Sequence, residues 1–139
     1  NKNAFVNFGR MPTRDEVIIA SMLEREARDP QDMKMISGII QNRLRADMAL
    51  QIDATVLYGQ GAWKNRVYYR DLLHQSDYNT YQNKGLPVGP ISNPGLNSLS
   101  AAIYPTKNNY YYYITGRDGK MYYGKTYNEH LRNIAKYLR

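Results

Sequence analysis

The sequence predicts an α+β fold: a helical core that carries a small antiparallel β-hairpin and a closing C-terminal helix. Three observations predict it. Two segments with apolar residues at helical spacing open the chain after Pro12. Two short β-type runs flank the turn Gly116-Arg117-Asp118-Gly119. A capping box stands immediately before the last apolar-periodic stretch. The chain has 139 residues, 42% hydrophobic and 22% charged, which suits one folded domain and excludes disorder as the overall state.

Residues 1–12 read as a lead-in ending at Met11-Pro12, and residues 13–139 as the domain proper. In Thr13-Arg14-Asp15-Glu16 the threonine hydroxyl can accept from the third backbone N–H while Glu16 reaches back to the cap. The helix opened there is expected to run to about Arg28, where Asp29-Pro30 stops it. A second helix is expected from about Gln31 to Asp47, with Met33, Ile36, Ile40 and Leu44 on one face and Arg43 and Arg45 near its negative end. A short helix around Ala54 to Tyr58, a Gly59-Gln60-Gly61 linker and another short helix from Tyr69 to Gln75 follow. Residues 76–97 hold Pro87, Pro90 and Pro94 among glycines and asparagines; a loop this long inside a compact domain is usually functional. Leu96 to Tyr104 reads as a helix cut off by Pro105. The strands are expected at Tyr110 to Thr115 and Lys120 to Tyr123. Thr126-Tyr127-Asn128-Glu129 then caps a final helix with Leu131, Ile134, Ala135 and Leu138 as its inner face.

Nineteen Lys and Arg against twelve Asp and Glu leave a net charge of +7, which favours an anionic partner: nucleic acid, an acidic membrane surface or an acidic polymer. With no cysteine, disulfides, thiolate metal sites and a cysteine nucleophile are excluded; two histidines, His74 and His130, argue against a His-rich zinc site. Fourteen tyrosines beside two phenylalanines and Trp63 point to wet, amphipathic surfaces that meet a polar ligand. No window holds the 18 or more apolar residues of a membrane span. The chain opens on Asn1 rather than Met and is expected to be a piece of a longer protein.

Glu26 is the most informative residue. At 3.6 residues per turn, Ile19, Met22, Leu23 and Glu26 fall on one stripe of the first helix. A carboxyl centred on an apolar stripe holds its proton more readily than usual, which is what a general acid needs. The plain alternative is a frayed helix end from which the side chain escapes to solvent before Pro30. Glu24, about 160° away around the axis, has an ordinary surface role as the i,i+4 partner of Arg28. Two polar-aromatic loops come next, Gln51-Ile52-Asp53-Ala54-Thr55 and Tyr78-Asn79-Thr80-Tyr81. Their amide, hydroxyl and ring groups suit sugar recognition, although Asn, Asp and Thr favour turns in any case. In Tyr110 to Tyr113 only alternate residues share a face, so at most half of that run can face a ligand.

Ile19-Ala20-Ser21-Met22-Leu23-Glu24-Arg25-Glu26, Asn42-Arg43-Leu44, the run from Met48 to Gly59, Tyr78-Asn79-Thr80-Tyr81, the run from Gly85 to Gly95 and Glu129-His130 stand in one order with compatible spacing. In that order the chain resembles the YceG-like endolytic murein transglycosylases, from about Thr13 onward. It departs from their pattern at Ala54 and Val88, where prolines are usual, and in the absence of a histidine before the returning strand. The resemblance implies a lysozyme-like helical core and a bacterial enzyme that cuts peptidoglycan glycan strands between N-acetylmuramic acid and N-acetylglucosamine, leaving 1,6-anhydro ends. It puts the single catalytic carboxyl on Glu26, as acid and then base, without metal or cofactor. It gives Gln51, Asp53, Thr55, Tyr78, Asn79, Thr80, Tyr81 and Asn93 to the substrate. The implied place is the extracytoplasmic face of the cell membrane, with an anchor before Asn1, and cell-wall synthesis proteins are candidate partners. The expected groove has three walls facing Glu26: 51–55, 78–81 and 85–93. Two rival readings remain, a glycan-binding module that has lost turnover and a nucleic-acid binder. Scattered Lys and Arg without an RNA-recognition motif speak for no nucleic acid.

Overall fold

The computed structural model describes residues 8–138; of the expected lead-in, positions 1–7 lie outside the described residues. Helix α1 spans Arg14–Glu26 and opens on the expected capping box: Glu16 N donates to Thr13 Oγ1 at 3.1 Å, and Thr13 N donates to Glu16 Oε1 at 2.9 Å. Arg10 adds a two-pronged contact to the Glu16 carboxylate at 2.8 and 2.9 Å, which brings its pKa down to about 2. The helix stops at Glu26, two residues earlier than expected, with Ala27 extended. Asp29-Pro30 begins the next helix rather than merely ending this one. Asp29 accepts from Gln31 N and Asp32 N, and Pro30 occupies the first helical position, where a missing N–H costs nothing.

Helix α2 spans Pro30–Arg45, α3 Asp53–Gln60, α4 Tyr69–Leu72 and α5 Leu96–Ile103. Their ends agree with the sequence reading to within three residues. The core lies where α1 and α2 pack on α5: Ile19, Met22 and Leu23 meet Met33, Ile36 and Ile40, with Leu99, Ala101 and Ala102 between them. Ile52 and Ile91 bring their loops into the same core. Ser21, buried at its centre, is fully used, donating to Ile18 O and accepting from Ile91 N at 3.0 Å. Its carbonyl also takes the Ser92 hydroxyl. The proline-rich loop is thereby docked on α1.

The segment after α5 is laid along α2. A Cβ at Gly38 would come 2.1 Å from Thr106 O, so only glycine permits the approach. Thr106 N donates to Lys34 O, and the buried Asn42 amide donates to Asn108 O and Tyr110 O. This strap delivers the hairpin, β1 Tyr112–Thr115 and β2 Met121–Gly124, with Tyr113 opposite Tyr123. The first strand starts two residues later than the sequence suggests: the carbonyls of Asn108, Tyr110 and Tyr111 accept from Asn42 and Arg43 of α2, and only Tyr111 N reaches the returning strand, at Gly124 O.

Helix α6 spans Tyr127–Tyr137. Thr126 accepts from Glu129 N, while the Glu129 carboxylate takes Lys125 N, one residue before the cap itself. Its expected inner face is corrected. Leu131 and Leu138 are 44% and 37% exposed and Ala135 is also exposed; Ile134 alone is half-buried. The hairpin side is taken by His130, stacked on Tyr112, Asn133, bonded to Tyr123 O, and Tyr137, stacked 3.5 Å from Tyr122. Two strands offer a tyrosine surface rather than an apolar core, so the aromatic and polar stripe of the helix makes the better match.

Candidate active site

The end of α1, the start of α3 and the hairpin enclose an open cavity of about 350 Å³. Glu26 enters it from the last position of α1, Arg43 from α2, Leu50 and Gln51 from the approach to α3, Asp53 from the first position of α3, and Tyr81 from the loop after α4. Tyr112, Tyr113 and Ile114 of β1 and Tyr127 and His130 of α6 close the other side.

Glu26 is partly buried, and its Oε1 accepts from the Tyr113 hydroxyl at 2.5 Å. Burial holds its pKa above the ordinary carboxyl value and the Asp53 charge raises it further, while the Tyr113 bond and Arg25 oppose the shift. The side chain does not escape to solvent as a frayed end would. Asp53 accepts from the Tyr81 hydroxyl at 2.5 Å, and burial together with that carboxylate keeps the Tyr81 phenol protonated far above its usual range. Burial and the nearby Arg43 cation lower the pKa of His130, so it is neutral at pH 7.

Gln51 has φ +55°, a left-handed conformation that costs a non-glycine residue on the order of 1 kcal/mol. It is held by residue 80. Gln51 N donates to Thr80 O and Ile52 N to Thr80 Oγ1 at 2.9 Å; the Thr55 hydroxyl bonds both Ile52 O and Thr80 Oγ1. Arg43 does the same work for the hairpin. Its Nε donates to Tyr111 O and its Nη1 to Ala49 O, both at 2.7 Å, joining β1 to the loop that carries Gln51.

Of the residues expected at the substrate, Gln51, Asp53 and Tyr81 line the cavity with Glu26. Thr55, Asn79 and Thr80 are 0, 0 and 1% exposed. They face the protein, so the expectation that they touch a ligand directly is corrected: they shape the loops. The Asn79 amide donates to Leu72 O and His74 O and its oxygen accepts from Tyr81 N, which fixes the turn that aims Tyr81. Tyr78 packs edge-on against Tyr58 at 4.8 Å, away from the cavity, and Asn93 is exposed outside it. The third expected wall, 85–93, is likewise corrected. Its Ile91 is core and its Val88 carbonyl takes the Arg14 guanidinium, and the hairpin and α6 stand where that wall was expected.

Sequence reasoning missed Arg43, Leu50, Tyr112, Tyr113, Ile114, Tyr127 and His130 as cavity residues. Alternation along the 110–113 run allows half of it a core side without saying which half; the structure puts Tyr113 there, with its phenol reaching past the core to Glu26. Glu24 is also corrected. It makes no ion pair with Arg28; its Oε1 accepts from Gly95 N at 2.6 Å and Ser98 Oγ at 3.0 Å, capping α5 from another helix.

The comparisons with known proteins agree with this architecture. The chain is 43% identical over 120 residues to the endolytic murein transglycosylase of Bacillus subtilis, covering 86% of this chain and 33% of that protein. It is 35% identical over 126 residues to the endolytic murein transglycosylase of Streptococcus pneumoniae, covering 86% and 23%. The chain thus spans a third or less of the length of these curated relatives. A crystal structure of a yceG-like protein from Listeria monocytogenes superposes with a TM-score of 0.84 at 42% identity, over 94% of this chain and 43% of that one. The model of the YceG-like family matches residues 6–136, nearly the whole chain, and the protein belongs to that family.

Proposed function

We propose that this domain carries the active site of a peptidoglycan lytic transglycosylase, with Glu26 as its single acid–base group. The observation that carries the reading is the Glu26 carboxyl itself: in the cavity, partly buried, and held protonated beyond the ordinary carboxyl range. The murein transglycosylases of B. subtilis and S. pneumoniae to which the chain is similar support murein as the substrate.

Glu26 gives its proton to the glycosidic oxygen between N-acetylmuramic acid and N-acetylglucosamine as the anomeric C–O bond breaks. The carboxylate left behind takes the proton of the muramyl 6-hydroxyl while that oxygen bonds to the anomeric carbon. Glu26 ends protonated, one strand ends in 1,6-anhydromuramic acid, and the other gains a hydroxyl. No water, metal or cofactor is consumed. A hydrolase would need a second carboxylate to activate water or attack the sugar; Asp53, engaged by Tyr81, instead places negative charge near the developing oxocarbenium ion. Gln51 and Tyr81 orient the sugar hydroxyls, and Tyr112 and Tyr127 offer ring faces. The +7 charge suits a polymer with carboxylate-bearing stem peptides. The place of action is extracytoplasmic, held at the membrane by a segment outside this chain, with cell-wall synthesis proteins as neighbours.

Mass spectrometry of purified murein digested by the wild type and by Glu26→Gln tests the reading. Anhydromuramyl products from the wild type alone support it. Hydrated reducing ends would mean a hydrolase, and binding without any product a glycan-binding module.

A further inference from the structure

A carboxyl that acts first as acid and then as base must keep its mobile proton on the oxygen that meets the substrate. In Glu26 the two oxygens differ. Oε1 accepts from Tyr113, 87 positions away in the chain, whose ring packs against the core. Oε2 has no hydrogen-bond partner among the described residues and is not among their sealed-off, unpartnered polar atoms, so it keeps open surface on a residue that lines the cavity.

We propose that Tyr113 is a positioning residue for Glu26: by donating to Oε1, its hydroxyl makes Oε1 the carbonyl oxygen and leaves the transferable proton on Oε2. The inference rests on reading Glu26 as the acid. The phenol is well suited to the task. Burial and the Glu26 carboxyl beside it keep Tyr113 protonated, so it donates whether Glu26 is neutral or charged. In the neutral state the bond fixes which oxygen bears the proton; in the charged state it steadies the carboxylate between the two steps. Placement comes from the sheet and its strap: Tyr113 sits opposite Tyr123 in the hairpin register, and the Arg43 bond to Tyr111 O ties that strand to α2. The other charged and titratable groups around Glu26 are Arg25 on its own helix, Asp53 on α3, Tyr81 on the loop after α4, Arg43 on α2, Tyr112 on β1, and Tyr127 and His130 on α6. None of these bonds the carboxyl; among the described residues its one hydrogen bond comes from Tyr113.

The test is Tyr113→Phe, which keeps the ring and removes the donor. Carbon-13 NMR of protein labelled at the glutamate carboxyl reads the Glu26 titration, with Glu26→Gln identifying its resonance. Removing a donor to the charged form moves the midpoint up, and the alkaline limb of the pH–rate profile on glycan strands follows it. The expected kcat falls on the order of tenfold, as for loss of a hydrogen bond to a charged group, with KM nearly unchanged. Site-specific 3-fluorotyrosine at position 113, a stronger donor of nearly the same size, moves the midpoint down and covers the case in which the phenylalanine variant fails to fold. An unmoved midpoint in the folded variants, or a rise in KM without loss of kcat, overturns the proposal. A wild type that yields no anhydro product sinks the proposed reaction instead, while the titration still decides whether Tyr113 governs the Glu26 proton.

Discussion

Glu24 and Glu26 stand two residues apart at the end of α1 and serve two different regions. Glu24 turns toward the junction with α5, where its carboxylate takes Gly95 N and Ser98 Oγ. Negative charge at a helix N-terminus with two donors is a stable arrangement for an ionised group. Glu26 turns toward the cavity, where it has one neutral donor, a neighbouring carboxylate and little solvent, and there the protonated form is favoured. The chemistry of the side chains is identical. What separates a carboxylate that caps a helix from one that lines the cavity is which neighbour the helix turns it toward, and the difference is set by about 160° of rotation.

The largest expected break in that contrast is Glu26→Gln. Turnover should fall by at least the roughly 10²–10⁴ that follows loss of a general acid–base, while the fold survives. Stability should move the other way. The folded pKa of Glu26 lies above its unfolded value near 4.5, so its contribution is fully present below that pH and is lost as pH rises through the folded pKa. The glutamine variant should therefore melt above the wild type at pH 7, with the advantage disappearing in melts below about pH 4.5.

Next in size is Arg43→Lys. An ammonium cannot reach both Tyr111 O and Ala49 O in the guanidinium's fork, and a stranded buried carbonyl costs about 1–3 kcal/mol. Denaturant unfolding should show that loss, and activity should fall with it because the strand carrying Tyr113 loosens. A smaller effect is expected of Asp53→Asn, which keeps an acceptor for Tyr81 but removes a charge that raises the Glu26 pKa. The alkaline limb of its pH–rate profile should move down, opposite to Tyr113→Phe, with kcat lowered on the order of tenfold. The smallest is Glu24→Ala, which should cost about 1 kcal/mol in a melt, like a lost helix cap, and leave turnover nearly intact. If it abolished activity as Glu26→Gln does, the contrast between the two carboxylates would fail.

A control from the opposite end of α1 has the opposite sign. Arg10 holds Glu16 at about 2, so its contribution is complete above pH 4.5 and vanishes as pH falls through about 2. Glu16→Gln should therefore narrow the acid arm of the stability curve, where Glu26→Gln does not.

Much of the architecture was legible because it is local. Thr13 with Glu16, Thr126 with Glu129 and the turn closed by Gly119 at φ +80° are decided by residues within four of one another. The period of Ile19, Met22 and Leu23 exposed Glu26 as the carboxyl out of place, since helical geometry is the same in every context. Side-chain type in the loops was a poorer guide. Thr55, Asn79 and Thr80 have the chemistry of sugar ligands and also that of turn formers, and only burial shows which use the protein makes of them. The inner face of α6 failed for a related reason: its pattern indicates an apolar stripe but cannot tell that a two-stranded hairpin, not a core, lies opposite.

By itself, then, the sequence determined the helices, the hairpin and which carboxyl stands out of place, because backbone periodicity and capping act over one or two turns. The tertiary structure alone decided that Tyr113 meets Glu26 across 87 positions, that Arg43 ties the strand to the loop of Gln51, and that Glu24 caps α5 rather than pairing with Arg28. Those are contacts between side chains whose spacing along the chain carries no period, and they exist only once the core has fixed where each element ends.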